Sequence, residues 1–319
     1  MRICVLDAQT VGQDMDLTLL SECGELTLYD LTAPEEVAER IKEVEVIITN
    51  KVVLNEENLK DASHLKMIGL LATGYNNIDI DYAKKRGIAV ANVAGYSTES
   101  VAQHTFAMLF YLMEHLNQYD HYVKSKAYSE SKIFTYIAWP FQELRGKRLG
   151  IIGLGEIGKA VARIATAFGM EIVYYSTSGK NNSGTDYLRL ELDELLYTSD
   201  VVSIHAPYNE RTHHLLTYKE LKKMKSSAYL INVGRGGIVV EEDLAKALNE
   251  GLLQGAGLDV LEKEPITKDN PLFNIEDKNK ILITPHIAWA SVEARRTLIQ
   301  EVIANIHAYE RKEMRNRIV

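Results

Sequence analysis

Short apolar runs alternate with amphipathic, helix-like segments from one end of the chain to the other. The apolar runs are "RICVLD", "LTLYD", "VEVIITN", "LKMIGLLATG", "GIAVANV", "RLGIIG", "EIVYYS", "DVVSIHAP", "AYLINVG", "GAGLDV" and "KILITPH". This alternation predicts parallel β-sheets whose strands are joined by crossover helices, which is an α/β fold. The runs form two series, separated near residue 98 by a long helical pattern, and the length of 319 residues is enough for two cored domains.

The helical pattern between the two series starts at "STESVAQHTF". Ser97, Thr98 and Ser100 are candidate N-caps there, and Ser100 with Gln103 fits a capping box. We expect one long helix that carries three histidines as packing or surface residues, namely His104, His115 and His121.

Composition argues against several classes of partner. The formal net charge is −8, without a run of Lys or Arg, so the chain lacks the basic surface that binds nucleic acid. The longest apolar run, "FAMLFYLM", is far shorter than the ~20 residues of a membrane helix. The first residues carry no features of a targeting signal, so we expect a cytoplasmic protein. Cys4 and Cys23 are too few for a disulfide framework, and we expect both to be reduced and structural.

The segment "AYSESKIFTYIAWPFQELRGK", residues 127–147, is rich in aromatic residues and has no clear period. If it lies on the surface, Phe134, Tyr136, Trp139 and Phe141 form a large exposed patch of the kind that marks an interface. We interpret the segment as an oligomerisation arm. The alternative is an internal packing loop between the domains.

A G-x-G-x-x-G motif, formed by Gly153, Gly155 and Gly158, follows the apolar run "RLGII" and precedes the helical pattern "KAVARIATAFG". Such glycines allow a tight turn, close approach of the backbone to a pyrophosphate, and close packing of helix on strand. The N–H groups at the start of the helix then bind the anion. In this strand–turn–helix context the motif predicts a dinucleotide site, whereas a purely structural glycine turn is the alternative.

The next strand, "EIVYYS", lacks the carboxylate that usually accepts hydrogen bonds from the adenosine ribose of NAD. It ends in Tyr175 and Ser176, which are followed by Thr177, Ser178 and Lys180. Hydroxyl groups and a lysine bind a 2′-phosphate without repulsion, so NADP is permitted. The alternative is that Lys180 is a solvated lysine and that NAD binds with fewer ribose contacts.

Three polar side chains follow predicted strands of the second series. Arg235 lies in the turn of "INVGRGG", Glu264 follows Asp259 in "GLDVLEKEP", and His286 follows the strand of "KILITPH". Ligands of open α/β sheets bind at the carboxyl ends of the strands, so we expect these side chains at the same edge as the glycine motif. Singly, each has a structural reading as a cap, a turn carboxylate or a core histidine.

Together these side chains fit hydride transfer to a carbonyl group. The developing alkoxide needs a proton from an acid that titrates near neutrality, which histidine supplies. A neighbouring carboxylate orients the imidazole and favours its charged form. An arginine binds a substrate carboxylate and polarises the adjacent carbonyl. Pro285 is expected to end the strand directly before His286.

The chain resembles the D-isomer-specific 2-hydroxyacid dehydrogenase family over nearly its whole length, with details most similar to glycerate dehydrogenases, also called hydroxypyruvate reductases. The resemblance rests on "GLGEIG", "SDVVSIHAP", "INVGRGGIV", "GAGLDVLEKEP" and "TPHIAWAS", and on "LLATGYNNID" and "SVAQHT" in the first half. It implies that His286 is the proton donor, Glu264 its partner and Arg235 the residue that orients the substrate. It also implies that Asp259 helps to hold the nicotinamide carboxamide.

The resemblance further implies two sets of binding residues. The substrate is expected to contact Ala72, Thr73, Gly74, Arg235, His286 and Trp289. The cofactor, NAD or NADP, is expected to contact Thr105, Gly153, Gly155, Glu156, Ile157, Gly158, Ser176, Thr177, Lys180, His205, Ala206, Pro207, Thr212, Asn232, Val233, Gly234, Asp259, His286 and Ala288.

The resemblance also implies an architecture of two Rossmann-like or flavodoxin-like domains. The substrate domain is expected to comprise residues 1–98 plus 288–319, and the NAD(P)-binding domain, residues 99–287, is inserted into it. The active site is then expected in the cleft between the domains, where Pro285 places His286 over the nicotinamide and Trp289 either lines the cleft or packs. Family members are typically homodimers through the cofactor domain.

The expected activity is reduction of a small 2-oxo acid, hydroxypyruvate or glyoxylate, to D-glycerate or glycolate. The alternatives within the family are D-lactate, D-3-phosphoglycerate, phosphonate and formate dehydrogenases. A different class of alternative is a non-catalytic, NAD(H)-sensing corepressor-like binding protein. His213 and His214 are adjacent and lack ligand-like spacing, and we expect no metal site.

Overall fold

The computed structural model describes residues 1–179 and 185–319. Lys180, one of the predicted cofactor residues, lies outside the described residues. The chain divides into two compact units. The first unit combines Met1–Ser97 with Ala290–Val319, and the second unit is Thr98–Trp289. The assignment of substrate and cofactor functions to these units stays a prediction.

The first unit is built around a parallel sheet with the strand order β2-β1-β3-β4-β5. Its strands are β1 (Arg2–Val5), β2 (Glu25–Leu28), β3 (Val46–Thr49), β4 (Met67–Leu70) and β5 (Ala89–Ala91). Every residue of β3, β4 and β5 is buried. This explains why these strands appear as continuous apolar runs, since crossover helices cover both faces of a parallel sheet. The order is the flavodoxin-like one.

Short helices and one long helix cover the sheet of the first unit. They are α1 (Val37–Ile41), α2 (Glu56–Leu59), α3 (Ile80–Arg86) and α10 (Val292–Glu310), with 3₁₀ turns at Ala8–Val11, Leu17–Cys23 and Pro34–Glu36. Helix α10 packs on β4, where Gly69 leaves room for the side chain of Val302. The N-cap hydroxyl of Ser291 accepts from the N–H of Ala294 and fixes where α10 begins.

The second unit is built around a parallel sheet with the order β12-β11-β10-β9-β6-β7-β8. Its strands are β6 (Arg148–Ile152), β7 (Glu171–Tyr175), β8 (Leu188–Arg189), β9 (Val201–Ile204), β10 (Tyr229–Asn232), β11 (Gly255–Leu258) and β12 (Ile281–Ile283). Read from β8 through β6 to β12, this is the doubly wound order of dinucleotide-binding folds. The predicted α/β class with two parallel sheets is therefore confirmed.

The helices of the second unit are α4 (Thr98–Met113), α5 (Leu116–Lys124), α6 (Glu156–Ala167), α7 (Leu192–Thr198), α8 (Tyr218–Leu221) and α9 (Glu241–Asn249). Short 3₁₀ turns occur at Ala127–Glu130, Pro271–Asn274 and Lys278–Lys280. Helix α4 packs against α6 and against β10 and β11, and its buried residues join one of the two apolar clusters of this unit.

Two expectations about the helix after residue 97 are wrong. Of the three candidate caps, Ser97 is the residue directly before α4, which begins at Thr98, whereas Ser100 lies inside the helix, where its hydroxyl donates to the carbonyl of Ala288 at 2.6 Å. The single long helix is in fact two, because His115 adopts a left-handed conformation with φ of 53° between α4 and α5.

The aromatic segment, residues 127–147, folds back on α5 through its rings. Tyr136 stacks on Tyr122 with centroids 4.0 Å apart, and Trp139 meets Tyr119 edge to face at 5.1 Å. The hydroxyl of Tyr119 donates to the carbonyl of Trp139 at 2.8 Å. Other apolar side chains of the segment point to solvent, with exposed fractions of 91% for Phe134 and 72% for Ile137.

Among residues 1–179 and 185–319, no helix combines the length and the apolar character needed to cross a membrane. Both cysteines are buried free thiols. Burial raises the pKa of the Cys4 thiol to about 12, so this side chain stays protonated and acts as a small apolar residue of β1.

Candidate functional site: the carboxyl edge of the second sheet

The glycine motif and the segment after β9 meet at the switch point of the second sheet. Strands β6 and β9 are hydrogen-bonded neighbours, with Ile152 opposite Ile204, while the chain between them forms β7 and β8 on the far side of β6. Loops diverge at such a point, which leaves a crevice for a ligand. Gly153 follows β6, and His205 follows β9, so both predicted segments border this crevice.

The three motif glycines differ in what surrounds them. Gly153 has φ of 94°, and a Cβ there would lie 2.9 Å from backbone atoms of Ala206. A Cβ at Gly158 would overlap the carbonyl oxygen of Gly153. Both glycines are therefore required for packing of the loop on the segment after β9 and for packing of α6 on the loop.

Gly155, by contrast, faces open space, since a Cβ there would meet no atom within 4 Å. It is the N-cap of α6 and has φ of −81°, a value that any residue adopts. No side chain of the described residues caps this helix end, so its first N–H groups point at the open space. The cradle fits the pyrophosphate of a dinucleotide, whose backbone contacts need neither a side chain nor a Cβ there. Glu156 and Ile157 form the first turn of α6.

The end of β7 presents hydroxyl groups at the position where NAD-binding folds usually have a carboxylate. Ser176 is buried, and Thr177 and Ser178 line an open cavity together with Pro207 and Arg211. The guanidinium of Arg211 donates to the carbonyl of Ser178 at 2.9 Å. Arg211 was not predicted from the sequence, because it lies 33 residues after Ser178 and no local pattern marks it.

The segment after β9 is held by its own side chains. The buried hydroxyl of Thr212 donates to the carbonyl of Pro207 at 2.7 Å and accepts from the N–H of Asn209 at 2.8 Å. Thr212 therefore holds the loop after His205 and Ala206 in shape. Its hydroxyl already donates one hydrogen bond and accepts another within this loop.

His205 is bonded on one side only. Its Nε2 lies 2.8 Å from the hydroxyl of Ser203, whereas its Nδ1 is shielded from solvent and has no hydrogen-bond partner among the described residues. The residue as a whole is only half-buried. Burial lowers the pKa of His205 to about 3, so the ring is neutral at physiological pH. An orphaned polar atom beside the glycine loop is a feature that a bound ligand could satisfy.

Arg235 projects from a turn that is closely fitted to its neighbours. The side chain of Asn232 binds the turn at both ends, donating to the carbonyl of Arg235 at 2.9 Å and accepting from the N–H of Gly234 at 3.1 Å. A Cβ at Gly236 would overlap the carbonyl of Leu261. The turn that carries Arg235 thus packs directly on the loop that carries Glu264. Val233 is buried beside it.

Glu264 and His286 form a hydrogen-bonded pair, with 2.7 Å between Oε2 of Glu264 and Nδ1 of His286. The other carboxylate oxygen of Glu264 accepts from the N–H of Leu261 at 3.0 Å, which fixes the orientation of the carboxylate. His286 has φ of 55°, a strained conformation for a non-glycine residue. Such strain is typical of functional positions.

Asp259 organises the segment around His286. Its buried carboxylate accepts from the N–H groups of Ile287 and Ala288, each at 2.9 Å, and from the hydroxyl of Thr284 at 2.6 Å. Its carbonyl accepts from the N–H of His286 at 2.9 Å. Pro285 was expected to end the strand. The segment after the strand is held mainly by the carboxylate of Asp259.

His104 contacts Thr284 and Asp259, although it was predicted to be a packing or surface residue. Its Nε2 lies 3.1 Å from the hydroxyl of Thr284 and 3.6 Å from Oδ1 of Asp259. Because the Thr284 hydroxyl donates to Asp259, it can only accept from His104, which places the proton on Nε2. The separation of 180 residues along the chain hid this contact from the sequence.

Two further predicted residues of the second unit have structural partners. Thr105 is buried in α4, where its hydroxyl donates to the carbonyl of Val101 at 2.8 Å. Trp289 is half-buried and packs against the apolar cluster that contains α4 and β6.

The turn predicted to receive a substrate carboxylate, Ala72 to Gly74, follows β4 in the first unit. The hydroxyl of Thr73 donates to the carbonyl of Val93 at 2.8 Å, and the side chain of Asn92 donates to the carbonyl of Thr73 at 2.7 Å. The carbonyl of Ala72 accepts from the N–H of Val93 at 3.0 Å. These bonds fix the turn without using its own N–H groups.

Comparison with known proteins places the chain in a family. Residues 106–288 match the model of the D-isomer specific 2-hydroxyacid dehydrogenase NAD binding domain. A hydroxypyruvate reductase of Blautia hydrogenotrophica is 37% identical over 316 residues, which cover 97% of this chain and 97% of that protein.

Solved structures agree with this assignment. A D-lactate dehydrogenase of Aquifex aeolicus, complexed with NAD and lactic acid, superposes with a TM-score of 0.84 at 31% identity and covers 98% of this chain and 96% of that one. An NADPH-dependent glyoxylate/hydroxypyruvate reductase of Sinorhizobium meliloti, in complex with NADP and malonate, has a TM-score of 0.82 at 27% identity, covering 97% of this chain and 93% of that one. The chain belongs to the D-isomer specific 2-hydroxyacid dehydrogenase family.

Proposed function

We propose that the protein uses NADH or NADPH to reduce a small 2-oxo acid, hydroxypyruvate or glyoxylate, to D-glycerate or glycolate. The observation that carries the proposal is the hydrogen-bonded pair of Glu264 and His286, in the same unit as an open dinucleotide cradle at Gly155. In this proposal residues 99–287, which make up nearly all of the second unit, bind the cofactor. Residues 1–98 plus 288–319, which contain the first unit, bind the substrate.

His286 is the proposed acid. A carboxylate only accepts hydrogen bonds, so the contact with Glu264 requires a proton on Nδ1 of His286. Nε2 then faces the substrate and gives its proton to the carbonyl oxygen as this becomes a hydroxyl group. Glu264 stabilises the charged imidazolium before transfer, and its second oxygen is held by the N–H of Leu261, so the ring has little freedom to rotate.

Arg235 is the proposed substrate-orienting residue. One of its N–H groups donates to the carbonyl of Gly234 at 2.8 Å, which leaves the rest of the guanidinium for the substrate carboxylate and carbonyl oxygens. The N–H groups of Ala72, Thr73 and Gly74 are the proposed second contact of that carboxylate. Trp289 is proposed to limit the size of the substrate side chain.

The cofactor is proposed to lie along the carboxyl edge of β6 and β9. When bound, its reduced nicotinamide supplies the hydride to C2 of the substrate. Gly153 and Gly155 bring the backbone to the pyrophosphate, His205 and Pro207 line the adenosine side, and Asp259 holds the carboxamide end. Ser176, Thr177 and Arg211 offer donors to a 2′-phosphate, which supports the use of NADP alongside NAD.

The substrate class is supported by the names of two similar proteins, a hydroxypyruvate reductase and a glyoxylate/hydroxypyruvate reductase. The likeness to a D-lactate dehydrogenase with bound lactic acid keeps pyruvate as an alternative substrate. A non-catalytic, cofactor-sensing role is the alternative of another class. The retained pair of Glu264 and His286 argues against it, since a binding protein has no use for an oriented acid.

We further propose a cytoplasmic homodimer. The support is the exposed aliphatic and aromatic surface of residues 127–147, where Phe134 and Ile137 are largely in solvent in the single chain. A net charge of −8 argues against nucleic acid as a partner.

Product analysis tests this proposal. The protein is incubated with hydroxypyruvate and an excess of reduced cofactor, and the product is separated on a chiral column. Formation of D-glycerate in a 1:1 ratio to oxidised cofactor is the expected result. L-glycerate, or cofactor binding without any product, would contradict the assignment.

A further inference from the structure

Three side chains that prefer transition metals meet in the first unit, outside the site described above. Glu22 and Cys23 are the last two residues of the 3₁₀ turn Leu17–Cys23, and His307 lies in the last turn of α10. One oxygen of Glu22, the Sγ of Cys23 and one ring nitrogen of His307 all lie within 4.8 Å of one another. The separation of 284 residues between Cys23 and His307 shows that the fold, and not a local sequence motif, creates this group.

The distances within the group fit the face of a coordination tetrahedron. Nε2 of His307 lies 3.8 Å from Sγ of Cys23 and 3.5 Å from Oε1 of Glu22. Zinc bonds of about 2.3 Å to sulfur and about 2.0–2.2 Å to nitrogen and oxygen place tetrahedral ligand atoms about 3.4–3.6 Å apart. The two distances from His307 are therefore within a few tenths of an ångström of those of a zinc site, and the Glu22 side chain, which is exposed, would have to rotate only as far as needed to close a separation from Cys23 of at most 4.8 Å.

The ring of His307 is already oriented as a metal ligand. Its other nitrogen, Nδ1, lies 3.1 Å from Oε2 of Glu310. Because the carboxylate accepts, Nδ1 carries a proton, and Nε2 is the nitrogen directed at Cys23 and Glu22; it would bind an ion once the ring is neutral. A carboxylate on the outer nitrogen of a ligating histidine is a recurring feature of metal sites, where it fixes the tautomer and raises the basicity of the ligand.

Without an ion, these contacts are a hydrogen bond between Cys23 and His307 and an ion pair between Glu22 and protonated His307. The group is a candidate ligand set because one donor atom from each of the three side chains lies within 4.8 Å of the other two. Cys23 is 5% exposed, whereas Glu22 reaches into solvent. One side of the group is thus closed by protein and the other is open, so water can complete the coordination.

We propose that Glu22, Cys23 and His307 bind one divalent transition-metal ion of the zinc class, with water as the remaining ligand. The ion would join the 3₁₀ turn to the end of α10. It would stabilise the first unit and take no part in hydride transfer.

Binding requires that the thiol lose its proton. A free cysteine is mostly a thiol at neutral pH, whereas the group that binds the ion is the thiolate. The reaction is M²⁺ plus R–SH giving R–S–M⁺ plus H⁺, without a change of oxidation state, so each ion bound releases one proton from Cys23.

Cobalt(II) is a suitable probe, because a cobalt–thiolate bond gives a charge-transfer absorption in the near ultraviolet. The full-length protein, stripped with a chelator, is titrated with Co²⁺ and separately with Zn²⁺. The expected results are a charge-transfer band that saturates at one Co²⁺ per chain, release of one proton per Zn²⁺, and a rise of Tm with Zn²⁺. Cys23→Ser should lose the band, and Glu310→Gln should weaken binding about 10–100-fold.

His64→Gln is the matched control, since His64 is an exposed histidine of the same unit that approaches Glu43 at 3.7 Å. It should bind as the wild type does, and circular dichroism should show that all variants are folded. Binding without the charge-transfer band, or equal binding by wild type, Cys23→Ser and His307→Gln, would show an adventitious ion only and would overturn the proposal. Neither outcome depends on turnover, so the proposed reductase activity is tested separately.

Discussion

Nδ1 of His286 lies 2.7 Å from Oε2 of Glu264, and the N–H of Leu261 holds the other oxygen of the same carboxylate. His286 reaches this position in a left-handed conformation, and its own N–H donates to the carbonyl of Asp259. The pair is thus fixed at both residues by backbone contacts. Orientation of this kind is what a general acid needs before the substrate arrives.

Removal of the imidazole should affect turnover far more than cofactor binding. His286→Ala is expected to lower kcat by about 10²–10⁴-fold, the usual loss for a general acid, while the Kd of the reduced cofactor changes little. Glu264→Gln should have a smaller effect, because the amide still contacts the ring but carries no charge. Stopped-flow turnover and fluorescence titration of NADH measure the two quantities. Wild-type turnover in His286→Ala would remove this residue from the mechanism.

Gly155 allows a test of the dinucleotide cradle without disturbing the fold. Since a Cβ there meets no protein atom, Gly155→Ala should leave the free energy of unfolding within about 0.5 kcal/mol of wild type. The methyl group would block the approach of a pyrophosphate, so the Kd of the cofactor should rise at least about tenfold.

Gly158→Ala is the contrasting variant, because its Cβ would overlap the carbonyl of Gly153. It should lower the free energy of unfolding measured by urea denaturation. If Gly155→Ala binds cofactor as tightly as wild type, the pyrophosphate does not lie at this helix end.

Arg211 tests the choice between NADH and NADPH. Its guanidinium donates to the carbonyl of Ser178 and lines a cavity with Thr177 and Ser178, which Glu210 also borders. Arg211→Gln is expected to weaken NADPH about five- to tenfold and to leave NADH nearly unchanged, since only NADPH carries the 2′-phosphate. Arg163→Gln is the control, because Arg163 pairs with Glu99 on the surface at 2.7 Å. Equal weakening of both cofactors would assign Arg211 a structural role.

His205 should make the protein sensitive to acid. Its pKa falls from 6.5 in the unfolded chain to about 3 in the folded one, because burial disfavours the charged ring. Between these values the unfolded state binds more protons, so the free energy of unfolding falls as pH falls, by up to about 1.4 kcal/mol per pH unit. Well above pH 6.5 the ring is neutral in both states and does not change the free energy of unfolding. Below pH 6.5 the loss of stability grows as pH falls towards the pKa of the folded state.

His205→Gln removes this titration and should flatten the dependence of stability on pH between pH 6 and about 4, as measured by urea denaturation of the cofactor-free protein. His121→Gln, at an exposed histidine of α5, is the control and should keep the wild-type slope. Identical slopes for all three proteins would mean that His205 titrates normally in the folded state.

The strands were predictable because a strand covered on both faces has to be apolar throughout, as in β3, β4 and β9. Each of the eleven apolar runs contains a strand, but β8 was missed. It is a two-residue edge strand, Leu188–Arg189, and too short to have a recognisable pattern. The sequence offered three candidate N-caps within four residues and could not distinguish them. The helix begins at Thr98, and Ser100 instead contacts Ala288.

The candidate site also contains residues whose positions could be predicted from the sequence and residues whose positions could not. The placement of Arg235, Glu264 and His286 after strands of one sheet was predictable because the ends of parallel strands share an edge; their roles in the site stay a prediction. The contacts of His104 and Arg211 could not be predicted, because each approaches its partner from another element without a local signal. The same holds for Cys23 and His307, whose contact depends on the packing of the final helix.

The most direct test of the proposed reductase activity is steady-state oxidation of NADH and NADPH, in parallel, with hydroxypyruvate, glyoxylate, pyruvate and phosphohydroxypyruvate as substrates. If the protein is this reductase, kcat/KM is highest for hydroxypyruvate or glyoxylate with at least one cofactor, and His286→Ala abolishes most of this activity. Cofactor binding without turnover on any of the four acids would contradict it and would favour the sensing role.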